Sequence, residues 1–314
     1  MNNTSNTEAD PYDYYYNIYT LYYASYIWVL AAVGVPGNVA CIMTIATMTL
    51  TTATLYVVLL AAADLAALVL KVIFHQLSYH RIPENTFICK GDVFVQVVSC
   101  YANWMLVLIC FERFLTVCYF LRKNTCFTIK RAIVIAVLLG VTLFLCFLYG
   151  FINMDKAKAG YCSYPEHAQE FVITYWHWIV ASIYFFLPFT LLAIFTSLIL
   201  VRLRRQRKAS EAIGETTENT RERSQMRVEL PICIMMVCAA IVFLVLTLPT
   251  CIYHLIVAWK KINVDTPQQW FAWAMFQQLA ISLSEANHAV NFYIYFLSVR
   301  MFRSRFKQLM MKLF

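Results

Sequence analysis

A chain of 314 residues that is 61% hydrophobic and 13% charged carries about half the charge of an ordinary soluble domain. With 7 glycines and 8 prolines it is neither collagen-like nor low-complexity. Its net charge of +8 sits in particular connections, so it reads as a topology signal and argues against nucleic-acid binding.

Residues 1–23, rich in tyrosine and acids, lack the basic start of a cleavable signal peptide and read as an arm. Apolar runs of about 20 residues, enough to cross a bilayer, follow near 24–48, 53–76, 88–119, 129–151, 171–203, 227–258 and 269–298. The fourth is the plainest, with no charge between Ala132 and Phe151, and the third and fifth exceed the thickness of lipid. Between the fifth and sixth, 204–225 is polar and rich in Glu, Thr and Arg. After the seventh, 299–314 places Phe302, Phe306, Leu309, Met310 and Leu313 on one helical face, with Arg303, Lys307 and Lys312 interleaved, a pattern suited to a membrane surface. The expected fold is all-α: a seven-transmembrane helix bundle, residues 24–298, with a short amphipathic helix after it. A soluble bundle would need polar stripes that these helices lack; the surrounding solvent is the lipid bilayer.

Basic residues orient the spans. With the N-terminus outside, 18 Lys and Arg fall on the inner side, six on the outer side, and Lys71 lies within a helix. The bias predicts an extracellular N-terminus and an inner C-terminus. Asn2 and Asn3 then become outer glycosylation acceptors. Of 11 cysteines only Cys89 and Cys162 fall in oxidising positions, where a bond would staple the third helix to the second outer loop. No spacing suggests a metal site or a catalytic nucleophile, so an enzyme is not expected.

Seven helices also suit a transporter, which would show paired broken helices or repeat symmetry; neither is evident. Motifs decide. Gly37-Asn38, Leu60-Ala61-Ala62-Ala63-Asp64, Glu112-Arg113-Phe114, Pro188, Phe243 with Pro249, and Asn291-Phe292-Tyr293-Ile294-Tyr295 occur in order, one set per expected helix. Together they resemble the signatures of rhodopsin-like (class A) G-protein-coupled receptors. The resemblance implies a heterotrimeric G protein as partner, engaged through Arg113 and restrained at rest by Glu112 and by Glu229, twenty residues before Pro249. On that reading Glu229→Ala raises ligand-independent signalling. It also implies a polar core of Asn38, Asp64, Asn287, His288, Asn291 and Tyr295, holding water or a sodium ion at Asp64. A carboxylate at mid-membrane costs at least about 2.5 kcal/mol, so Asp64 requires partners; a purely structural hydrogen-bond network is the simpler reading.

The chain departs from the family at several points. Gly140 stands in place of the fourth-helix tryptophan, Thr247 of the sixth-helix tryptophan, Thr196 of a fifth-helix tyrosine and Phe292 of the seventh-helix proline. The stretch from Cys89 to Arg113 is one residue shorter than usual.

Exclusion narrows the ligand. The third helix reads Val93-Phe94-Val95-Gln96-Val97, without an aspartate for an amine, and the seventh has Ser284-Glu285 without a lysine for retinal. The outer segments hold nine acids against six bases, and seven tyrosines accompany three acids between Glu8 and Tyr23, a setting for sulfation. That surface would steer a basic ligand. The Asn291–Tyr295 form is similar to that of invertebrate neuropeptide receptors, FMRFamide-type among them, so a basic, aromatic neuropeptide is the expected ligand; a small-molecule chemosensory receptor is the alternative. Gln96, Trp178, Tyr253, His254, Gln277, Gln278 and Ser284 are candidate pocket residues. Lys71 and Glu285 admit two readings, a mutual ion pair shaping the pocket floor or direct ligand contact.

Overall fold

The structure, a computed structural model, describes residues 11–80, 85–118, 128–156, 162–212, 217–259 and 265–313, with side chains except at 11, 118, 206–212, 217–233, 258, 259 and 313. Asn2 and Asn3 lie outside the described residues, as does the side chain of Glu229.

Seven long helices form a closed bundle: α1 (Pro11–Ala46), α2 (Thr52–Tyr79), α3 (Thr86–Cys118), α4 (Ile129–Asn153), α5 (the helical run 169–212), α6 (Thr217–Trp259) and α7 (Pro267–Ser298). A short α8 (Arg300–Leu313) follows. α7 packs against α1, α2 and α6; α3 is central, touching α2, α4, α5 and α6. Six of the helices are long and apolar enough to cross a membrane. α7 has 32 residues, about 48 Å of helix and longer than the roughly 30 Å of bilayer hydrocarbon. It is more polar because it carries the bundle's buried polar groups. The outward face of α4 presents Ile133, Val137, Leu138, Val141 and Leu145, each more than a third exposed. In water such a face would be a large unpaid hydrophobic surface; in lipid it is the ordinary exterior.

Local chemistry sets the helix starts. Thr51 caps α2 in a reciprocal box with Thr54, and Thr266 does the same for α7 with Gln269, with Pro267 in the first turn. Thr128 caps α4 through the Arg131 amide.

The first helix is where expectation and structure part most. Reading 1–23 as an arm places the helix start near 24, whereas α1 starts at Pro11. Tyr12, Tyr15, Tyr19, Tyr23 and Tyr26 recur at helical spacing and lay their rings on a neighbouring wall. Tyr12 and Tyr19 meet Trp270 at 5.3 and 5.7 Å between centroids, Tyr15 meets Phe271 at 4.9 Å, and Tyr23 meets His75 at 4.5 Å. Aromatic pairs at these separations supply the tertiary support that an isolated polar-looking arm would lack. Lower down, a Cβ on Gly34 would stand 2.4 Å from Leu68 Cδ1 and 2.8 Å from Ala289 Cβ, so only glycine lets α1 approach α2 and α7 this closely.

Two losses at family positions are filled by neighbours. Gly140 on α4 leaves room for the Tyr101 ring of α3, which would lie 3.5 Å from a Cβ there. Phe292, in place of proline, sits in an aromatic cluster with Phe296, Phe302 and Phe306 at 5.9, 5.8 and 5.3 Å, which fastens α8 to α7. Phe302 is buried while Met301 and Met311 are exposed, so α8 packs one edge and leaves apolar groups for a membrane surface.

Two π turns, Val172–Trp176 and Ser182–Phe186, interrupt α5. Such turns release carbonyls from the regular ladder. α3 answers the second of them: Trp104 Nε1 donates to the Ile183 carbonyl at 2.9 Å and Asn103 Nδ2 to that of Tyr184 at 3.4 Å. Trp104→Phe removes a neutral hydrogen bond and leaves the Ile183 carbonyl only the weak Cys100 thiol donor at 3.7 Å. It is expected to lower stability by about 1–2 kcal/mol, read as a lower midpoint in thermal melts of the purified protein.

Candidate functional site

Three groups of side chains line up along the bundle: a cavity at the disulfide end, a polar knot in the middle and an ion pair at the Arg113 end.

At the disulfide end, Cys89 at the start of α3 is bonded to Cys162 with an S–S distance of 2.01 Å. Cys162 belongs to a two-strand hairpin, β1 (Asp155–Lys156) against β2 (Cys162–Ser163), with Lys156 opposite Cys162. Thr86 Oγ1 donates to Asp155 Oδ1 at 2.6 Å and the Lys156 amide to the same oxygen at 2.7 Å. The hydrogen bond from Thr86, followed by that from the Lys156 amide, holds this carboxyl below its ordinary value of 3.8. A lowered carboxyl stabilises the tether above the ordinary value, and that contribution is lost as pH falls through the lowered one. Amide-exchange protection at Lys156 should therefore fall below about pH 3.8 and be unchanged between neutral pH and pH 5.

Beneath the hairpin a cavity of about 600 Å³ opens between α1, α2, α3, α5, α6 and α7. Of the residues expected there, Lys71, Gln96, Tyr253, His254, Gln277 and Glu285 line it. Trp178, Gln278 and Ser284 do not. Trp178 lies beside His177, ring centroids 5.6 Å apart, and it is His177 that reaches the cavity. Gln278 and Ser284 are buried within α7 packing. The sequence reading missed Tyr26, His75, Asp92, His177 and Tyr184, which also form the wall. Spacing gave a usable signal for Asp92, one turn before Gln96 on α3; the others depend on how helices turn against one another. His177 and His254 face each other at 5.1 Å. Lys71 Nζ lies 3.2 Å from Glu285 Oε1, with the two side chains 11% and 17% exposed.

In the middle, Asp64 is fully buried. His288 Nδ1 lies 2.8 Å from its Oδ1, and Asn291 Nδ2 donates to its Oδ2 at 2.7 Å. Asn38 Nδ2 donates to the carbonyls of Gly34 and His288 at 2.9 and 2.8 Å, joining α1 to the same knot. The side-chain oxygens of Asn38, Asn287, Asn291 and Tyr295 are buried and have no partner among the described residues. Amide and hydroxyl oxygens around a carboxylate are the donors that hard main-group cations select, so this set fits a sodium ion as it fits water.

At the far end, Arg113 grips its neighbour Glu112: Nε donates to Oε2 at 2.9 Å and Nη2 to Oε1 at 2.7 Å. Both side chains are at most 4% exposed. Thr52, at the start of α2, donates to Glu112 Oε1 at 2.7 Å. This third partner sits 60 residues away in sequence, and no motif announces it. Thr196 and Thr247, which replace the aromatic residues of the family pattern, are buried with hydroxyls that find no partner among the described residues.

No curated protein compared with the chain matches it. The family model described as the 7 transmembrane receptor (rhodopsin family) matches residues 37–295, from Gly37 to Tyr295 of the motifs above. That match covers most of the chain, and with the helical bundle and its apolar exterior it makes this a multi-pass membrane protein of a signalling family, not an enzyme family. The chain belongs to the rhodopsin family of seven-transmembrane receptors, whose members receive an extracellular ligand and couple to G proteins.

Proposed function

We propose that this receptor stands in the plasma membrane with its N-terminus outside and answers a basic, aromatic peptide. The observation that carries the reading is the cavity wall. It places Asp92, and Glu285 in its pair with Lys71, among Tyr26, Phe74, Tyr184 and Tyr253, charged groups within an aromatic lining. Such a wall accommodates a cationic group and a ring on one ligand. The threefold excess of basic residues on the Arg113 side supports the orientation. The seventh-helix likeness to FMRFamide-type receptors points to the same ligand class.

Signalling is a shift of population between a closed and an open inner face. In the closed state Glu112, itself held by Thr52, occupies Arg113; ligand binding favours the state in which Arg113 is released to the G protein. Asp64, with Asn287 and Asn291, would hold a sodium ion that stabilises the closed state. Basal nucleotide exchange should then be lower in sodium than in choline chloride, and equal rates would remove the ion from the account.

The test of the main reading is a screen of amidated peptides on cells expressing the full chain, with nucleotide exchange as readout. Exchange driven by basic, aromatic members and absent with acidic ones is the expected result. A response confined to small non-peptide compounds would replace the peptide reading with a chemosensory one.

A further inference from the structure

Two histidines from different helices meet in the cavity wall. His177 of α5 and His254 of α6 both line it, with ring centroids 5.1 Å apart and ring planes inclined at 53°. His254 keeps Nδ1 buried and without a hydrogen-bond partner among the described residues, which leaves Nε2 as the nitrogen it offers to the cavity. His75 lines the same cavity but is committed elsewhere. Its Nε2 meets the Tyr23 carbonyl at 2.8 Å and its Nδ1 meets the Gln76 amide at 3.2 Å.

We infer that His177 and His254 are the two protein ligands of a divalent-cation site that bridges α5 and α6 and takes an ion of the zinc class. Two imidazoles on one tetrahedral ion, with bonds of about 2.0–2.1 Å, bring their ring centroids to roughly 5 Å. That is the separation found here. Imidazole nitrogen suits zinc, copper or nickel, whereas magnesium and calcium take oxygen. Among the described residues no third histidine, cysteine or acid completes a ligand set. Two positions of a tetrahedral ion therefore stay open, for water or for a donor group on a molecule in the cavity. Asp92 and the Lys71–Glu285 pair give the wall a single net negative charge, which favours a dication. Phe185 and Tyr253 flank His254 at 5.3 and 5.4 Å between centroids, the kind of apolar shell that limits the access of water to a metal. The π turn at Ser182–Phe186 lies between His177 and Pro188 and so helps set the face of α5 on which His177 stands.

The test is a calorimetric titration of the purified, tag-free full chain with zinc chloride. One saturable site per chain is expected, undiminished in excess magnesium chloride. Either His177→Ala or His254→Ala should weaken it at least about tenfold, since losing a group that merely orients a metal ligand already costs about 10–100-fold. His75→Ala should leave it in place. No saturable zinc binding, binding that survives both substitutions, or an equal loss in His75→Ala overturns the proposal. If a variant does not fold, X-ray absorption at the zinc edge of the loaded, unaltered chain decides alone. Two imidazole nitrogens at about 2.0–2.1 Å are expected there, and fewer than two overturn the assignment. The titration contains no peptide, so the site stands or falls apart from the peptide reading.

Discussion

Asp64→Ala is expected to be strongly destabilising, by about 3–5 kcal/mol, because it strands two buried polar groups at roughly 1–3 kcal/mol each and opens a cavity. Three helices meet at this carboxylate. His288 Nδ1 and Asn291 Nδ2 from α7 reach its two oxygens, and Asn38 of α1 is tied to the His288 carbonyl. Alanine leaves the imidazole of His288 and the amide of Asn291 without their carboxylate partner, and it opens a cavity as well. Asp64→Asn keeps the volume and one acceptor, so its cost should be smaller. Thermal melts of the purified variants against the unaltered protein separate the two. A melting point for Asp64→Ala within a degree or two of the parent would show that the α2–α7 knot adds little to stability.

The second large effect is on signalling. Glu112→Gln removes the charge that holds Arg113 and weakens each hydrogen bond between them. The pair is buried, so solvent does not screen it as it would an exposed ion pair. A loss of about 1.5 kcal/mol of restraint on the closed state multiplies the open population about tenfold. Basal nucleotide exchange, measured at matched surface expression, should rise by that order. Thr52→Ala, which removes one neutral hydrogen bond to the same carboxylate, should give a rise of a few-fold at most. Unchanged basal exchange in Glu112→Gln would mean that Arg113 is not restrained from this side. Glu229→Ala tests the other acid named from the sequence, and a rise there alone would transfer the restraint to α6.

Much of the fold was legible from run length alone, since a stretch such as 132–151 has few alternatives to crossing lipid. The arm was misread because tyrosine counts for little on an apolar scale, although its positions 12, 15, 19, 23 and 26 already keep helical spacing. What they pack against, Trp270 and Phe271 for the first three and His75 for the last two, is remote in sequence and leaves no local trace. The partners of Asp64 had a signal in the sequence, because a buried carboxylate demands polar company and α7 supplies it at i and i+3, His288 and Asn291. The actual pairing had none, since Asn38, Asn287 and Asn291 are equivalent by composition and only rotation of the helices selects Asn291 for Asp64. The compensations for missing family residues, Tyr101 filling space beside Gly140 and the phenylalanine cluster around Phe292, depend on contacts across helices and were likewise invisible.

The two π turns in α5 have a consequence for how this receptor diversifies. Each accommodates one surplus residue, and one residue on a helix is about 100° of rotation. The side of α5 that faces the cavity is thus fixed by a count of residues: with a π turn between it and Pro188, His177 lines the wall and Trp178 does not. Losing or gaining a single codon within 172–176 or 182–186 would revolve the disulfide end of the helix while Pro188 and the residues after it stayed in register. The cavity lining is in this way open to rewriting by length variation, with the Arg113 end of the bundle left untouched.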